Sequence, residues 1–191
     1  MKYSIRDIFE YIIALINEFA KRYSLTEKQA YWYIRAHKGI AFIEENYGAM
    51  HTLSFDDAVE SVTLYCRRTG GELWSYTTDP ILTLNKNRVP KSAQVYEGHN
   101  LPILFWYRKS HQTPEKTMTG AEFEYMKEAM AADLAELLSK DFGMSISEAL
   151  DTLYDSETYT KLCDPATGLY FQSTKYVYTM LNSELKTGRI S

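Results

Sequence analysis

Phe19-Ala-Lys-Arg-Tyr23-Ser-Leu25-Thr26-Glu-Lys-Gln29-Ala30 returns 119 residues later as Leu138-Ser-Lys-Asp-Phe142-Gly-Met144-Ser145-Ile-Ser-Glu148-Ala149. The pairing of these two stretches decides the fold. Thr26 with Gln29, and Ser145 with Glu148, have the spacing of a capping box. In that arrangement the hydroxyl accepts from the backbone N–H three residues on, and the longer side chain reaches back to the cap. Leu25 and Met144 precede the caps, and Ala30 and Ala149 stand at the fourth helical position, the spacing of a hydrophobic staple. Each stretch therefore predicts one helix ending, a tight turn, and a second helix beginning.

Outward from this pair the register holds without a gap, to Met50-His51 against Leu169-Tyr170 and to Ser54 against Ser173. Identity is sparse. Across 12–66 and 131–185 only Leu15/Leu134, Lys21/Lys140, Ala30/Ala149 and Ser54/Ser173 agree. Chemistry agrees far more widely: Phe19/Leu138, Tyr23/Phe142, Leu25/Met144, Ile34/Leu153, Ile40/Tyr159, Ile43/Leu162, Met50/Leu169, Ala58/Val177 and Val62/Leu181 are apolar in both. A repeat this long describes a duplicated domain rather than a solenoid, whose units run to a few tens of residues.

Helical periodicity fills in the modules. Residues 4–22 place Ile5, Ile8, Phe9, Ile12, Ile13, Leu15, Ile16, Phe19 and Ala20 on one broad face. Thr26 opens a helix to about His37, with Ala30, Tyr33 and Ile34 inward. A short helix near 39–46 stops at Asn46-Tyr-Gly48. Ser54 with Asp57 caps a helix to about Arg68, with Ala58, Val59, Val62 and Tyr65 inward, and Gly70-Gly71 ends it. Thr119 with Glu122 opens a helix to about Asp141, carrying Phe123, Met126, Met130, Leu134, Leu137 and Leu138 on one side. Ser145 opens the next, to about Tyr154; a turn near 156–163 and a loop at Asp164-Pro-Ala-Thr-Gly168 precede a last helix from Ser173 to about Lys186.

Residues 72–118 differ in character. They hold four of the five prolines, Pro80, Pro90, Pro102 and Pro114, with β-favouring runs at Leu73 to Thr78, Ile81 to Leu84 and Ile103 to Tyr107. The expected fold is mainly α: a helical module over 1–71, a Pro- and aromatic-rich insert with short β-strands over 72–118, and a second helical module over 119–191, about four helices to each module.

Composition narrows the function classes. With 191 residues, 45% of them apolar, the chain can bury a real core. A net charge of −4 argues against a general phosphate-backbone binder, although Lys86, Arg88, Lys91, Arg108 and Lys109 gather in the insert. Tyr11-Ile-Ile-Ala-Leu-Ile16 is too short to span a bilayer, and no signal-peptide pattern precedes it, so the expected location is the cytoplasm. Cys66 and Cys163 form neither a metal spacing nor a disulfide framework, and no cofactor motif is present.

Chemistry-bearing side chains are few. His51, matched by Tyr170, is expected to be packed and hydrogen-bonded, and His37 to cap a helix end. His99 and His111, near Asp79, Glu97 and Tyr107, are the side chains an enzyme could use for acid–base work, although nothing in their spacing forces them together. Asp56, Asp57 and Glu60 suit a helix start. A helix-turn-helix at 12–37 would have only Lys28, Arg35 and His37 to offer DNA. The exposed anchors expected for a protein partner are Trp74, Tyr76, Tyr96, Phe105, Trp106 and Tyr107, because aromatic residues dominate interface hot spots.

The segment from Ile12 to Gly71 resembles a family of short uncharacterised bacterial helical domains. The resemblance lies in Glu18-Phe-Ala-Lys, Tyr23, Leu25-Thr26, Ile43-Glu-Glu-Asn-Tyr47, Met50-His51-Thr52 and the stretch from Asp57 to Tyr65. The C-terminal segment looks like a sister group, on Leu153-Tyr-Asp-Ser-Glu-Thr-Tyr159, Thr167-Gly-Leu-Tyr170 and Tyr176-Val-Tyr178. Members of such families are often encoded beside proteins resembling ADP-ribosyltransferase toxins. The resemblance thus implies a companion or antitoxin-like role, a protein partner, and no catalytic residue or cofactor. The chain departs from the family pattern in fusing two modules through an insert.

Overall fold

A computed structural model describes residues 3–71 and 119–187. Both stretches are helical. The first holds α1 (Ile5–Tyr23), α2 (Glu27–Ala36), α3 (Gly39–Glu45), α4 (Tyr47–Met50) and α5 (Phe55–Arg68). The second holds α6 (Gly120–Phe142), α7 (Ile146–Asp155), α8 (Glu157–Leu162), two 3-10 turns at Pro165–Thr167 and Leu169–Phe171, and α9 (Thr174–Thr187). The β-favouring runs of the insert lie outside the described residues.

The caps form as their spacing requires. Thr26 Oγ1 accepts from the Gln29 N–H at 3.2 Å while Gln29 Oε1 accepts from the Thr26 N–H at 2.9 Å. Ser145 and Glu148 repeat the exchange at 3.3 and 2.8 Å, and Thr119 with Glu122 does so at the start of α6. Before each second-helix cap the chain turns through a left-handed residue, Ser24 (φ 53°) in one stretch and Gly143 (φ 66°) in the other. Shifted by 119 residues, the end of α1 falls on the end of α6, and α2 and α5 fall on α7 and α9 at both ends.

Two elements depart from the expected pattern. Asn46-Tyr-Gly48 does not end the helical path, because Asn46 closes α3 and serves at once as the cap position of the one-turn α4. The expected turn near 156–163 is instead α8, capped by Ser156, whose hydroxyl accepts from the Tyr159 N–H at 3.0 Å. Both are short helices bounded by polar residues, and periodicity has too few turns to register them.

The core runs through both stretches as one cluster, and α1 against α6 is its main seam. The two helices are antiparallel: Arg6 reaches Asp133 at 3.0 Å, and Asn17 reaches Glu128 at 2.7 Å. Their buried faces differ in bulk. Ile12, Ile13 and Ile16 on α1 correspond by the 119-residue shift to Ala131, Ala132 and Ala135 on α6, all at most 1% exposed. Small residues on one helix leave room for branched side chains on the other. The α6 face expected from leucine and methionine spacing is therefore incomplete. The buried stripe includes these alanines and also Lys127.

On α5, Thr63 and Cys66 are buried where Tyr65 was expected to be; Tyr65 stacks on Phe42 at 4.3 Å on a half-buried face. Burial pushes the Cys66 thiol from an ordinary 9.0 up to about 12. The neutral thiol is thus favoured in the folded chain. Between pH 9 and 12 the unfolded chain has released this proton and the folded chain has kept it, so stability falls with rising pH across that window. We expect wild type to lose stability relative to Cys66→Ala there, by up to about 1.4 kcal/mol per pH unit, with no contribution from this thiol below pH 9. Urea denaturation of both proteins from pH 7 to 11.5 checks this. Parallel pH curves would show that the thiol titrates alike in both states.

Candidate functional site

An open cleft of about 490 Å³ lies where α1, α2, α6 and α8 meet. Its walls include Asn17, Lys21, Glu27, Glu124, Lys127 and Tyr159. Each comes from a different local cause. Glu27 is the first residue of α2, placed by the Thr26 cap. Lys127 lies on the buried stripe of α6, with Met130 and Ala131 one turn on. Tyr159 and Cys163 belong to the short α8 and its end.

The Glu27 carboxylate is the centre of the cluster. Its Oε1 accepts from the Lys127 ammonium, its Oε2 accepts from the Tyr159 hydroxyl at 2.6 Å, and the Cys163 thiol donates to the same oxygen at 3.7 Å. Lys127 also donates to Glu124 Oε2 at 2.7 Å and stands 5.4 Å from the centre of the Phe123 ring. Only 3% of Lys127 is exposed. Burial works against its charge, but Glu124 and Glu27 outweigh burial and hold its pKa above the ordinary lysine value.

Burial pushes the Cys163 thiol up to about 12, with the Glu27 charge adding to the effect. Burial likewise drives the Tyr159 phenol well above its usual value, helped by Tyr154 and Glu27. Both groups are therefore neutral donors at physiological pH. Cys163 is no activated nucleophile, since that role needs a thiolate favoured by its surroundings.

Further along the same seam α2 packs on α7. Tyr31 stacks on Tyr154 with ring centres 4.3 Å apart and 6° between planes. The Tyr31 hydroxyl donates to Asp151, which also takes a two-point contact from Arg35 at 2.8 and 2.9 Å. Lys28 stands 3.6 Å from Asp155. Lys28 and Arg35, two of the three groups weighed for DNA contact, are thus turned onto carboxylates of α7.

Sequence reasoning missed this cluster because its members are scattered over four elements. One signal was available. Shifted by 119 residues, Lys127 falls on Ile8, Glu27 on Ile146, Tyr159 on Ile40 and Glu124 on Ile5. Ile8, Ile40 and Ile146 are all buried. Ile5, Ile8, Ile40 and Ile146 thus stand, at a distance of 119 residues, opposite positions where this cluster is charged or polar.

The other sequence-based candidates divide in two. His51 packs as expected: Nδ1 lies 2.7 Å from the Tyr47 carbonyl, and the ring stacks on Tyr47 at 5.0 Å. His37 ends α2 and leans on Tyr33. Trp74, Tyr76, Tyr96, Phe105, Trp106 and Tyr107, together with Asp79, Glu97, His99 and His111, lie outside the described residues. Among the described residues no group of three or more His, Cys, Asp or Glu is placed to hold a metal ion, and no helix is long and apolar enough to cross a membrane.

Comparison with known proteins gives one match: residues 10–69 fit the family described as "Protein of unknown function (DUF3791)". The match ends near the close of α5 and supports an uncharacterised helical domain in the first part of the chain. No curated protein and no solved structure matches the chain.

The buried ion pair generates a prediction. Lys127→Ala leaves the partly buried Glu27 without its cation and should cost about 1–3 kcal/mol. Replacing the set together, as Glu27→Ile, Lys127→Ile and Tyr159→Phe, copies the apolar choice made at Ile8 and Ile146. It should come within about 1.5 kcal/mol of wild type or exceed it. Chemical denaturation measures both. A triple variant as unstable as the single one would show that the polar set is required for folding.

Proposed function

We propose that the chain is a non-enzymatic, cytoplasmic protein-interaction module of bacterial type. In this reading two related helical modules arose by duplication, the insert 72–118 carries short strands, and the protein partner is a toxin whose companion this chain is. The duplication is supported by the coincidence of α2 with α7 and of α5 with α9 after the 119-residue shift. The toxin link rests on the family resemblance.

The observation that carries the non-enzymatic reading is the state of the cleft. Glu27, Lys127, Glu124, Tyr159 and Cys163 engage one another, and the thiol and phenol are held neutral. The cluster ties one half of the chain to the other, which is a structural use of these groups. Large aromatic side chains meanwhile stand outside: Tyr125 is 73% exposed, Phe171 61% and Tyr176 54%. Trp74, Tyr76, Tyr96, Phe105, Trp106 and Tyr107 are the anchors proposed from sequence, since interface energy concentrates in such residues.

Affinity capture of the full chain from extracts of its own host tests the reading. We expect one protein to be retained in near-equimolar amount, and Trp74→Ala with Trp106→Ala to weaken its retention by at least about tenfold, the loss of a single hot spot. The circular dichroism of the variant should match wild type. No retained protein, or equal retention by the variant, would overturn the proposal.

A further inference from the structure

The face of α1 and α2 that meets the second half of the chain has the anatomy of a protein–protein interface. Its anchors are Tyr31, fully buried, and Arg35, residue types enriched in interface hot spots. The side-chain hydrogen bonds of both cross the seam. Tyr31 stacks on Tyr154 and donates to Asp151, and Asp151 also takes Arg35 at 2.8 and 2.9 Å. On α1, Arg6 meets Asp133 at 3.0 Å, and Asn17, only 2% exposed, donates to Glu128 at 2.7 Å.

Charge is divided unevenly across the seam. Arg6, Lys28 and Arg35 of the first half face Asp133, Asp155 and Asp151 of the second. Lys127 with Glu27 is the one reversed pair among the described residues. Residues 119–191 hold six basic and twelve acidic side chains, a net charge of −6, whereas residues 1–71 hold nine of each. Complementary charge of this kind selects a partner and fixes its register.

The family match covers most of α1 to α5 and stops at residue 69. Taken by itself, that unit would leave Asn17, Tyr31 and Arg35 without the partners just named. We propose that the α1–α2 face is the docking surface of this unit and takes an acidic helical hairpin, which this chain supplies itself as α6 and α7. Each helix of the hairpin has its own helix to meet, α6 on α1 and α7 on α2. Asp133, Asp151 and the Tyr154 ring are its recognition elements, and the two halves hold one another as separate chains do. The surface is distinct from the aromatic residues of the insert, so failure to capture an outside partner and failure of this docking are separate outcomes.

Cutting the folded protein tests the proposal. A site-specific protease sequence placed after Gly98 lets the full chain be cleaved once it has folded. We expect the two pieces to run as one species on gel filtration with unchanged circular dichroism, and to part on dilution with a measurable dissociation constant. Asp151→Arg should raise that constant at least about tenfold, the loss of a two-point charged contact. The uncut variant should keep the wild-type circular dichroism, because linkage gives the halves a high effective concentration. Adding Arg35→Asp on the other piece should recover at least about threefold of the loss, which a general weakening of the fold could not do. Should Asp151→Arg fail to fold, Asp151→Asn takes its place, with a rise of at least about threefold expected. Pieces that separate or precipitate on cleavage, a constant unmoved by either Asp151 variant, or no recovery with Arg35→Asp would overturn the proposal.

Discussion

The contact of α1 with α6 is the constraint on which the rest of the structure depends. Each helix also packs within its own half, α1 on α2 and α5 and α6 on α7 and α9, while the isoleucine-rich face of α1 and the alanine-rich face of α6 are complementary in bulk. Once the two are laid antiparallel, α2 and α7 are brought side by side, and Tyr31 can stack on Tyr154. The polar contacts of Glu27, Arg35 and Asn17 all cross the same seam.

The seam also explains why the two halves are not interchangeable. Elements 119 residues apart face one another, α1 against α6 and α2 against α7. The side chains at corresponding positions differ. Ile12 corresponds to Ala131, Lys127 to Ile8, and Arg35 to Tyr154. Each half thus presents what the other lacks, and the linkage of both in one chain removes the need for self-complementarity. The charged and polar members of the cleft sit where this asymmetry is greatest.

Much of the architecture was legible in the sequence, for identifiable reasons. The capping boxes at Thr26, Thr119 and Ser145 are local, three-residue signals, so the starts of α2, α6 and α7 could be placed to within a residue. Long amphipathic helices such as α1 also declare themselves through their period. The one-turn α4 and the six-residue α8 could not, because too few positions repeat. The cleft was not legible either. Its residues come from distant parts of the chain, Glu27 and Cys163 lying 136 positions apart, and Lys127 is charged although it falls at helical spacing from Phe123, Met130 and Leu134. The aromatic residues of the insert were chosen for composition alone, and they fall outside the described residues.

Function follows from what the seam leaves over. The cluster, with its thiol and phenol held neutral and its charges mutually paired, joins the two halves of the chain. The account therefore rests on the two halves forming one cooperative body through α1 and α6. Native-state hydrogen exchange tests that claim most directly. The slowest amides of α1 and α6 should exchange with a common free energy equal to that of global unfolding, and should respond equally to denaturant. Separate free energies for the two helices, with one half opening while the other stays protected, would contradict it.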